Sequence, residues 1–275
     1  MAAAARSALF VPATQPERIP KALASGADRV VVDLEDAIDP QAKDSAREAL
    51  CAFLGRHPQA RLWVRINDAS SAWHENDLSA CRQQSSAIAG ILLPKAENPA
   101  QVRHVAQTGI AVLPIIESAA GLLNAAAVAG AQGVERLAFG SLDYGLDLQL
   151  NPDSPGAATV LDHARVQVLL QSRAAGLAAP LDGVFSSVRD LAGMQQAARR
   201  AHDMGFGGML CIHPDQVALI HAAYAPAQAD VTWARSVLRT YRETGAGAFM
   251  LEGKMVDAPV IARARTVLER AGETV

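Results

Sequence analysis

Three acidic residues follow a short run of valines near the start of the chain. The run is Val30–Val32, and Asp33, Glu35 and Asp36 occupy three of the next four positions. A continuous apolar run of this kind is typical of a strand buried on both faces, whereas Asp and Glu are usually exposed. Three carboxylates at the end of a buried strand indicate either a solvated strand end or a site that binds a cation.

Polar side chains follow most of the other apolar runs as well. These residues are Arg65, Asn67, Lys95, Glu117, Ser141, Asp143, Ser186, Ser187 and His213. If the runs are parallel strands of one barrel, their carboxyl ends meet on one face, and barrel enzymes place their active sites on that face. The pattern therefore predicts one polar site assembled from many strands.

Glu117 and Asp143 are the pair best suited to bind a metal ion. They leave consecutive predicted strands, and two carboxylates a few ångströms apart are unfavourable unless a cation or a shared proton compensates them. Carboxylate oxygens with waters and substrate in an octahedron describe a Mg²⁺ site. Asp33, Glu35 and Asp36 would support that ion and its waters from outside.

Several of these residues also have a purely structural interpretation. Arg65 is flanked by Val64 and Ile66, and a buried arginine needs a carboxylate partner whatever the function. Lys95 fits a solvated loop as well as a ligand contact. His213, which precedes Pro214, fits a packing or helix-capping residue better than a metal ligand.

The elements that must position these residues alternate along the chain. Eight short apolar runs are separated by longer segments with helical spacing, such as Ala42–Leu54, Ser118–Ala129, Ala157–Gly176 and Asp190–Met204. This alternation predicts a (β/α)8 TIM barrel, with a doubly wound open sheet as the alternative. The runs are Ala8–Val11, Val30–Asp33, Leu62–Ile66, Ile88–Leu93, Ile110–Ile116, Arg136–Phe139, Leu181–Phe185 and Met209–Ile212.

The predicted barrel spans residues 1–225, and residues 226–275 form a C-terminal helical extension. The extension contains two helical stretches, Asp230–Thr244 and Ala258–Ala271, joined by a glycine-rich link. Within the barrel, Ser118 and Asp190 are predicted helix N-caps and Gly176 a helix stop. Pro114 predicts a bulge or a late start in the fifth strand, because proline cannot donate to a ladder.

Composition narrows the class of protein. Half of the 275 residues are hydrophobic and the formal charge is −3, so there is no broad positive field for nucleic acid or anionic lipid. Three widely spaced cysteines without CxxC spacing fit reduced thiols in the cytoplasm. We expect no signal peptide and no membrane span. Dinucleotide, nucleotide, zincin and hydrolase motifs are also absent from the sequence.

In order along the chain, eleven short motifs resemble the citrate lyase β-subunit-like family. This family comprises Mg²⁺-dependent acyl-CoA carbon–carbon lyases, including malyl-CoA and citramalyl-CoA lyases, within the pyruvate-enolate aldolase superfamily. The motifs are Arg6–Pro12, Asp33–Ala37, Lys43 with Ala46–Arg47, Val64–Asn67, Leu93–Lys95, Ile116–Ser118, Phe139–Asp143, Asp182–Val184, Gly205–Gly208, Ile212–Pro214 and Gly253–Pro259.

The resemblance implies a TIM barrel, a homotrimer or hexamer, and a role for each site residue. Glu117 and Asp143 would ligate Mg²⁺, and Arg65 would bind the substrate's hydroxyl or keto oxygen. Glu35 and Asp36 would hold metal waters, and Asp257 would reach into a neighbouring subunit as the acid/base. Coenzyme A phosphates would contact Arg18 and Lys21, for which solvated helix charges are an equally good interpretation.

The implied reaction is cleavage of a citramalyl-CoA or malyl-CoA type thioester to acetyl-CoA and a 2-keto acid. Alternatives are the β-subunit of a citrate lyase complex, a CoA-free keto-acid aldolase and a non-catalytic scaffold. Two departures from the family pattern bear on the substrate. Ala13 stands where relatives commonly have glycine, and Phe185–Ser187 stand where acidic residues are frequent.

Overall fold

The computed structural model describes residues 5–273, so residues 1–4 and 274–275, at the outer ends of the two predicted segments, lie outside it. The described chain divides into two compact units, residues 5–223 and residues 224–273. In residues 5–273, no helix combines the length and the apolar character that a membrane crossing requires.

Eight parallel strands form a closed barrel in chain order, which confirms the predicted (β/α)8 fold. Each strand lies within, or within one residue of, one of the eight apolar runs. The strands are β1 (Ser7–Pro12), β2 (Arg29–Asp33), β3 (Leu62–Arg65), β4 (Ile88–Leu93), β5 (Ala111–Ile116), β6 (Ala138–Phe139), β7 (Leu181–Asp182) and β8 (Gly208–Cys211).

Helices follow the strands and cover the barrel. In the first unit they are α1 (Ile19–Leu23), α2 (Lys43–Arg56), α3 (His74–Gln83), α4 (Pro99–Ala106), α5 (Ala119–Leu123), α6 (Ala125–Ala129), α7 (Ser141–Asp147), α8 (Pro155–Ala174), α9 (Leu191–Met204) and α10 (Pro214–Tyr224). Helix α10 runs one residue past the boundary between the units.

The inside of the barrel is a single apolar cluster to which all eight strands contribute. Its buried members are Ala8, Val31, Trp63, Leu92, Leu113, Ile115, Ala138, Leu181 and Leu210. Side chains alternate between the two faces of a strand, so the residue two positions after an inward-facing one also faces inward. This interior therefore determines which residues face inward at the carboxyl ends of the strands.

Trp63 occupies its place in the barrel because Gly90, on the neighbouring strand, has no side chain. A Cβ added at Gly90 would lie 2.1 Å from the indole ring of Trp63. We expect Gly90→Ala to lower the free energy of unfolding by about 1–3 kcal/mol, since overpacking forces the ring off its position. Urea denaturation followed by Trp fluorescence measures the change.

Gly55 provides the matched control for that substitution. It lies in helix α2, and a Cβ added there meets no heavy atom within 4 Å. Gly55→Ala should therefore stabilise the protein by about 0.5–1 kcal/mol, because alanine loses less backbone entropy on folding. Equal effects of the two substitutions would contradict the packing argument.

Pro114 lies inside β5, and the predicted irregularity is present on one side of the strand. Toward β4 the pairing is continuous, with Leu93 opposite Pro114. Toward β6, Val112 bridges Val134 and Ile115 pairs with Ala138, so the segment before β6 has one extra residue between these pairs. The extra residue lies opposite the segment Leu113–Pro114, in which the proline has no N–H to donate.

The predicted helix end signals are confirmed, but one predicted helix is broken. Ser118 accepts a hydrogen bond from the Gly121 amide as the N-cap of α5, and Asp190 caps α9 in the same way. Gly176, just after α8, has a positive φ of 70°. The segment Ser118–Ala129 forms two short helices that meet at Asn124, whose side chain donates to the Glu97 carbonyl.

The C-terminal unit is a helical hairpin with a small antiparallel sheet between its helices. Helix α11 is Gln228–Thr244 and helix α12 is Ala258–Arg270, as the sequence predicted to within two residues. The link between them, predicted only as glycine-rich, contains strands β9 (Phe249–Leu251) and β10 (Lys254–Val256). Glu252 and Gly253 both have positive φ, the conformation of a two-residue type I′ turn.

Candidate active site

A cavity of about 380 Å³ opens at the carboxyl ends of the barrel strands. Acidic, basic and apolar residues from several strands line it, which is the arrangement that the polar residues after the runs predicted. The residues that line it are Phe10, Pro12, Asp33, Asp36, Ala37, Arg65, Ile115, Glu117, Gly140, Ser141, Leu142, Asp143, Val184, Leu210 and Ile212.

The side chains of this cavity follow from the alternation along each strand. Asp33 lies two residues after the interior residue Val31, Arg65 two after Trp63, and Glu117 two after Ile115. Each of these polar residues therefore faces the barrel axis, one layer above the apolar interior. Because these charged side chains lie next to the apolar interior of the barrel, they are close together and largely shielded from water.

Arg65 is held rigidly by Asp33. Its Nε and Nη2 lie 2.7 and 2.6 Å from the two carboxylate oxygens of Asp33, a bidentate ion pair. The Phe10 ring lies 4.8 Å from the guanidinium carbon. Asp33 is itself fixed, because its oxygens also accept from the amides of Glu35 and Ala37. Arg65 thus presents a positive charge of fixed position to the cavity.

Glu35 lies between two cations. Its Oε2 is 2.9 Å from Arg65 Nη1 without the alignment of a hydrogen bond, and its Oε1 accepts from Lys95 Nζ at 2.9 Å. Burial raises the pKa of Glu35 to about 7, although the charges of Arg65 and Lys95 lower it. Asp36 is 52 % exposed and lies 3.5 Å from Arg65 Nη1, at the mouth of the cavity.

Glu117 is a buried carboxylate of the cavity, only 4 % exposed. Its Oε1 accepts from the Lys95 amide at 2.8 Å, and Lys95 has a positive φ of 47°. Burial raises the pKa of Glu117 to about 8, and the negative charges of Asp143 and Glu35 add to the rise. The positive φ of Lys95, which is not a glycine, indicates local strain at the site.

Gly140 makes room for the Glu117 carboxylate. A Cβ added at Gly140 would lie 2.2 Å from Glu117 Oε2 and 2.6 Å from Glu117 Cβ. Gly140 directly precedes α7, whose first turn carries Asp143. This glycine stands within the Phe139–Asp143 motif, but its role could not be predicted from the sequence.

The residues of this cavity fit a divalent cation. Two carboxylates, Glu117 and Asp143, line the same cavity, and the negative charge of Asp143 contributes to the raised pKa of Glu117. Hard oxygen ligands of this kind suit Mg²⁺. Asp36 also lines this cavity, and the charge of Glu35 contributes to the raised pKa of Glu117.

A buried lysine, Lys43, supports the chain that carries Glu35. Its Nζ donates to the carbonyls of Leu34 and Glu35 at 2.9 and 2.8 Å and to Asn67 Oδ1 at 2.6 Å. The Asn67 amide groups in turn donate to Asp77 Oδ2. Lys43 stands in one of the family motifs, but no role for it could be predicted from the sequence, because a lysine at a helix start is ordinarily solvated.

Two predicted site residues, Arg18 and Lys21, line a second cavity beside the first. This cavity of about 410 Å³ also contains His213, and it shares Phe10, Pro12 and Ile212 with the first cavity. Arg18 and Lys21 are both exposed.

Asp257 lies in the C-terminal unit, directly after β10. There it is the N-cap of α12, and its Oδ1 lies 3.4 Å from the Val260 amide, which donates to it.

The closed parallel barrel has the topology of a (β/α)8 enzyme, and its acidic cavity could hold a divalent cation between carboxylates. Residues 6–214 match the model of the HpcH/HpaI aldolase/citrate lyase family, and the chain belongs to this family. The citrate lyase subunit beta-like protein of Deinococcus radiodurans is 37 % identical over 282 residues, with 96 % of each chain covered. The resemblance found in the motifs is therefore confirmed.

Two further relatives carry information on ligands and substrates. The human mitochondrial citramalyl-CoA lyase is 28 % identical over 97 % of this chain and 85 % of its own length. The CitE protein of Mycobacterium tuberculosis, solved in complex with magnesium, acetoacetate and coenzyme A, is 37 % identical with a TM-score of 0.85. The match covers 99 % of this chain and 100 % of that structure.

Proposed function

We propose that this protein is a Mg²⁺-dependent carbon–carbon lyase. Its substrate would be a 3-hydroxy-3-carboxy acyl-CoA of the citramalyl-CoA or malyl-CoA type, cleaved to acetyl-CoA and a 2-keto acid. The observation that carries the proposal is the common cavity of the Glu117–Asp143 pair and Arg65, which Asp33 holds in place. Two relatives support the proposal: the human citramalyl-CoA lyase, and the M. tuberculosis CitE protein, whose structure contains magnesium and coenzyme A.

Each residue has a part in this reaction. Cleavage converts the substrate hydroxyl into a carbonyl and releases the thioester carbon as an enolate, which takes up a proton to become acetyl-CoA. Glu117 and Asp143 would hold Mg²⁺, which would supply a Lewis acid and a template for the 2-hydroxy carboxylate. Arg65 places positive charge where the oxyanion develops, and Asp257 of a neighbouring subunit exchanges the proton. Glu35 and Asp36 orient metal-bound waters.

A direct assay tests the proposal. The purified protein is incubated with Mg²⁺ and citramalyl-CoA, malyl-CoA or citryl-CoA, and the release of acetyl-CoA and keto acid is followed with and without a chelator. We expect cleavage of at least one thioester that stops on chelation. If all three stay intact, the citrate lyase β-subunit alternative is tested by adding the carrier-bound citryl thioester. The name of the D. radiodurans relative supports that alternative.

Magnesium affinity is expected to rise with pH between about pH 6 and 8. Without metal, Glu117 holds a proton below its pKa of about 8, and a carboxylate ligand must be deprotonated to bind. Loss of one proton on binding weakens the affinity by up to about tenfold for each pH unit below 8. Calorimetric Mg²⁺ titrations in buffers of different ionisation enthalpy measure both the affinity and the protons released. Binding without pH dependence or proton release would contradict the assignment of Glu117.

The coenzyme A part of the substrate would bind in the second cavity. Arg18 and Lys21 lie there, beside the first cavity, at a place suited to phosphate groups. We expect an Arg18→Ala, Lys21→Ala double variant to raise KM about tenfold while kcat changes little, since these contacts would be made in the ground and transition states alike. Steady-state kinetics at two ionic strengths measure this effect.

Arg82→Ala is the control for the double variant, because Arg82 is an exposed cation on α3 away from both cavities. It should leave KM unchanged. An unchanged KM in the double variant would return Arg18 and Lys21 to the role of solvated helix charges.

We also infer a homotrimer or hexamer in the cytoplasm, in which residues 226–275 pack on a neighbouring subunit. In the C-terminal unit, Met250 and Met255 pair across the β9–β10 hairpin and are both exposed, and exposed apolar side chains of this kind suit a protein interface. The three cysteines, free thiols in the structure, fit a reducing compartment. Sedimentation velocity of wild type and of Met250→Ser, Met255→Ser tests the assembly.

A further inference from the structure

Two histidines and a glutamate form a cluster that the proposed reaction does not use. His74 and Glu75 begin helix α3, and His104 lies in the last turn of helix α4. One ligand atom from each of the three lies within 4.8 Å of the others. His104 Nε2 is 2.7 Å from Glu75 Oε1, and the two imidazole rings stack with centroids 6.0 Å apart.

His74 has an unused ring nitrogen in a buried place. The residue is 4 % exposed, and its Nδ1 lies 2.8 Å from the carbonyl oxygen of Asn67. Because a carbonyl only accepts hydrogen bonds, Nδ1 carries a proton, and in the neutral imidazole Nε2 has a free lone pair. Among the described residues, Nε2 is buried without a hydrogen-bond partner. A buried polar atom without a partner loses its hydrogen bonds to water and needs an explanation.

The ion pair between Glu75 and His104 does not supply that explanation. It provides hydrogen-bond partners for Glu75 and His104 but leaves His74 Nε2 without one. A metal ion would satisfy all three at once. The hydrogen bond from Nδ1 to a backbone carbonyl is the arrangement that orients metal-binding histidines and makes the other nitrogen a better ligand.

We propose that His74, Glu75 and His104 form a second metal site, separate from the Mg²⁺ site, for a transition-metal ion such as Zn²⁺. Two imidazoles favour Zn²⁺, Co²⁺ or Ni²⁺ over Mg²⁺, which prefers oxygen ligands. Three protein ligands and one water complete a tetrahedron. The side chains of Glu75 and His104 are 66 % and 42 % exposed, so they are free to close on an ion that the fixed His74 holds.

Such an ion would join two neighbouring helices of the barrel and, through His74, would also be connected to residues that support the active site. It would bridge α3 and α4, which follow β3 and β4. Through His74 it would also steady Asn67, whose side chain accepts from Lys43 beneath Glu35. The site therefore has a structural role, and it does not depend on the proposed lyase activity.

The test is a calorimetric Zn²⁺ titration of the intact protein in saturating Mg²⁺. Wild type should bind one Zn²⁺ per chain, and His104→Gln should weaken binding by more than about tenfold, the lower range for disturbing a metal site. His104 is partly exposed, so its replacement leaves the core intact. His163→Gln, which changes an exposed histidine on α8, should bind as wild type does. No binding by wild type, or equal binding by His104→Gln, would overturn the proposal.

Two further measurements identify the ligands. X-ray absorption of the Zn²⁺ protein should show nitrogen or oxygen neighbours at about 2.0–2.1 Å, whereas sulfur at about 2.3 Å would place the ion on a cysteine and overturn the proposal. Zn²⁺ should also raise the Tm of wild type and of Glu117→Gln, but not that of His104→Gln. A loss of the Zn²⁺ effect in Glu117→Gln alone would show that the ion binds in the Mg²⁺ site.

Discussion

Glu117→Gln is expected to lower kcat/KM for thioester cleavage by about three orders of magnitude. The substitution keeps the size of the side chain and the contact with the Lys95 amide, but it removes the charged oxygen that would bind Mg²⁺. Metal polarisation contributes several kcal/mol to such reactions, and about 1.4 kcal/mol corresponds to each factor of ten. Steady-state kinetics over a range of Mg²⁺ concentrations, with calorimetric Mg²⁺ binding, measure the loss.

The same variant should be more stable than wild type when no metal is present. The folded-state pKa of Glu117 is about 8, raised above the usual value of 4.5, so ionisation costs the folded protein free energy as pH rises from about 4.5 to 8. Gln carries no such cost. Its Tm should exceed that of wild type at pH 8, with the difference disappearing near pH 4.

Glu48→Gln is the matched control, since Glu48 is an exposed carboxylate on α2. It should change neither activity nor the pH dependence of Tm. A Glu117→Gln variant with wild-type activity and Mg²⁺ affinity would exclude Glu117 as a ligand and with it the proposed reaction centre.

Arg65→Lys is expected to lower kcat/KM by about 10²–10³-fold, the usual effect of removing one oxyanion donor. Lysine keeps the positive charge, but a single ammonium group cannot reproduce the two parallel hydrogen bonds that Arg65 makes to Asp33. Its Nη1 contact with Glu35 is lost as well. The charge would therefore be mobile, and most of the effect should fall on kcat, where transition-state contacts are measured.

Arg61→Lys is the control for that experiment, because Arg61 is exposed and immediately precedes the same strand. It should retain full activity. Arg65→Lys with unchanged kcat/KM and a lower free energy of unfolding would assign to Arg65 the purely structural ion-pair role that the sequence also allowed.

Much of this architecture could be predicted from local pattern. The apolar runs marked all eight strands because strands of a covered parallel sheet are buried on both faces, and buried strands need apolar residues at nearly every position. Ser118 and Asp190 were recognisable as caps because their side chains satisfy amides of the next turn. The β9–β10 hairpin was missed, since its three-residue strands are short and only Glu252–Gly253 signalled the turn.

The partners of the charged residues could not be predicted. Asp33 was expected to support the cation, but the structure pairs it with Arg65 through both oxygens. For Lys95 the sequence allowed either a solvated loop or a ligand contact. In the structure its side chain donates a hydrogen bond to Glu35 and its backbone amide donates one to Glu117. Such contacts join residues more than twenty positions apart, and no local pattern encodes which strand ends will meet.

The sequence by itself determined the barrel, the strand ends that carry polar residues, and the family, because each depends on residue types at short spacing. Only the tertiary structure decided which charges share a cavity and how deeply Glu117 is buried. It also placed Gly140 against the Glu117 carboxylate and brought the rings of His74 and His104 together. Barrel closure brings distant segments together, and burial then sets their charge interactions, since electrostatic effects depend on distance and exposure in three dimensions.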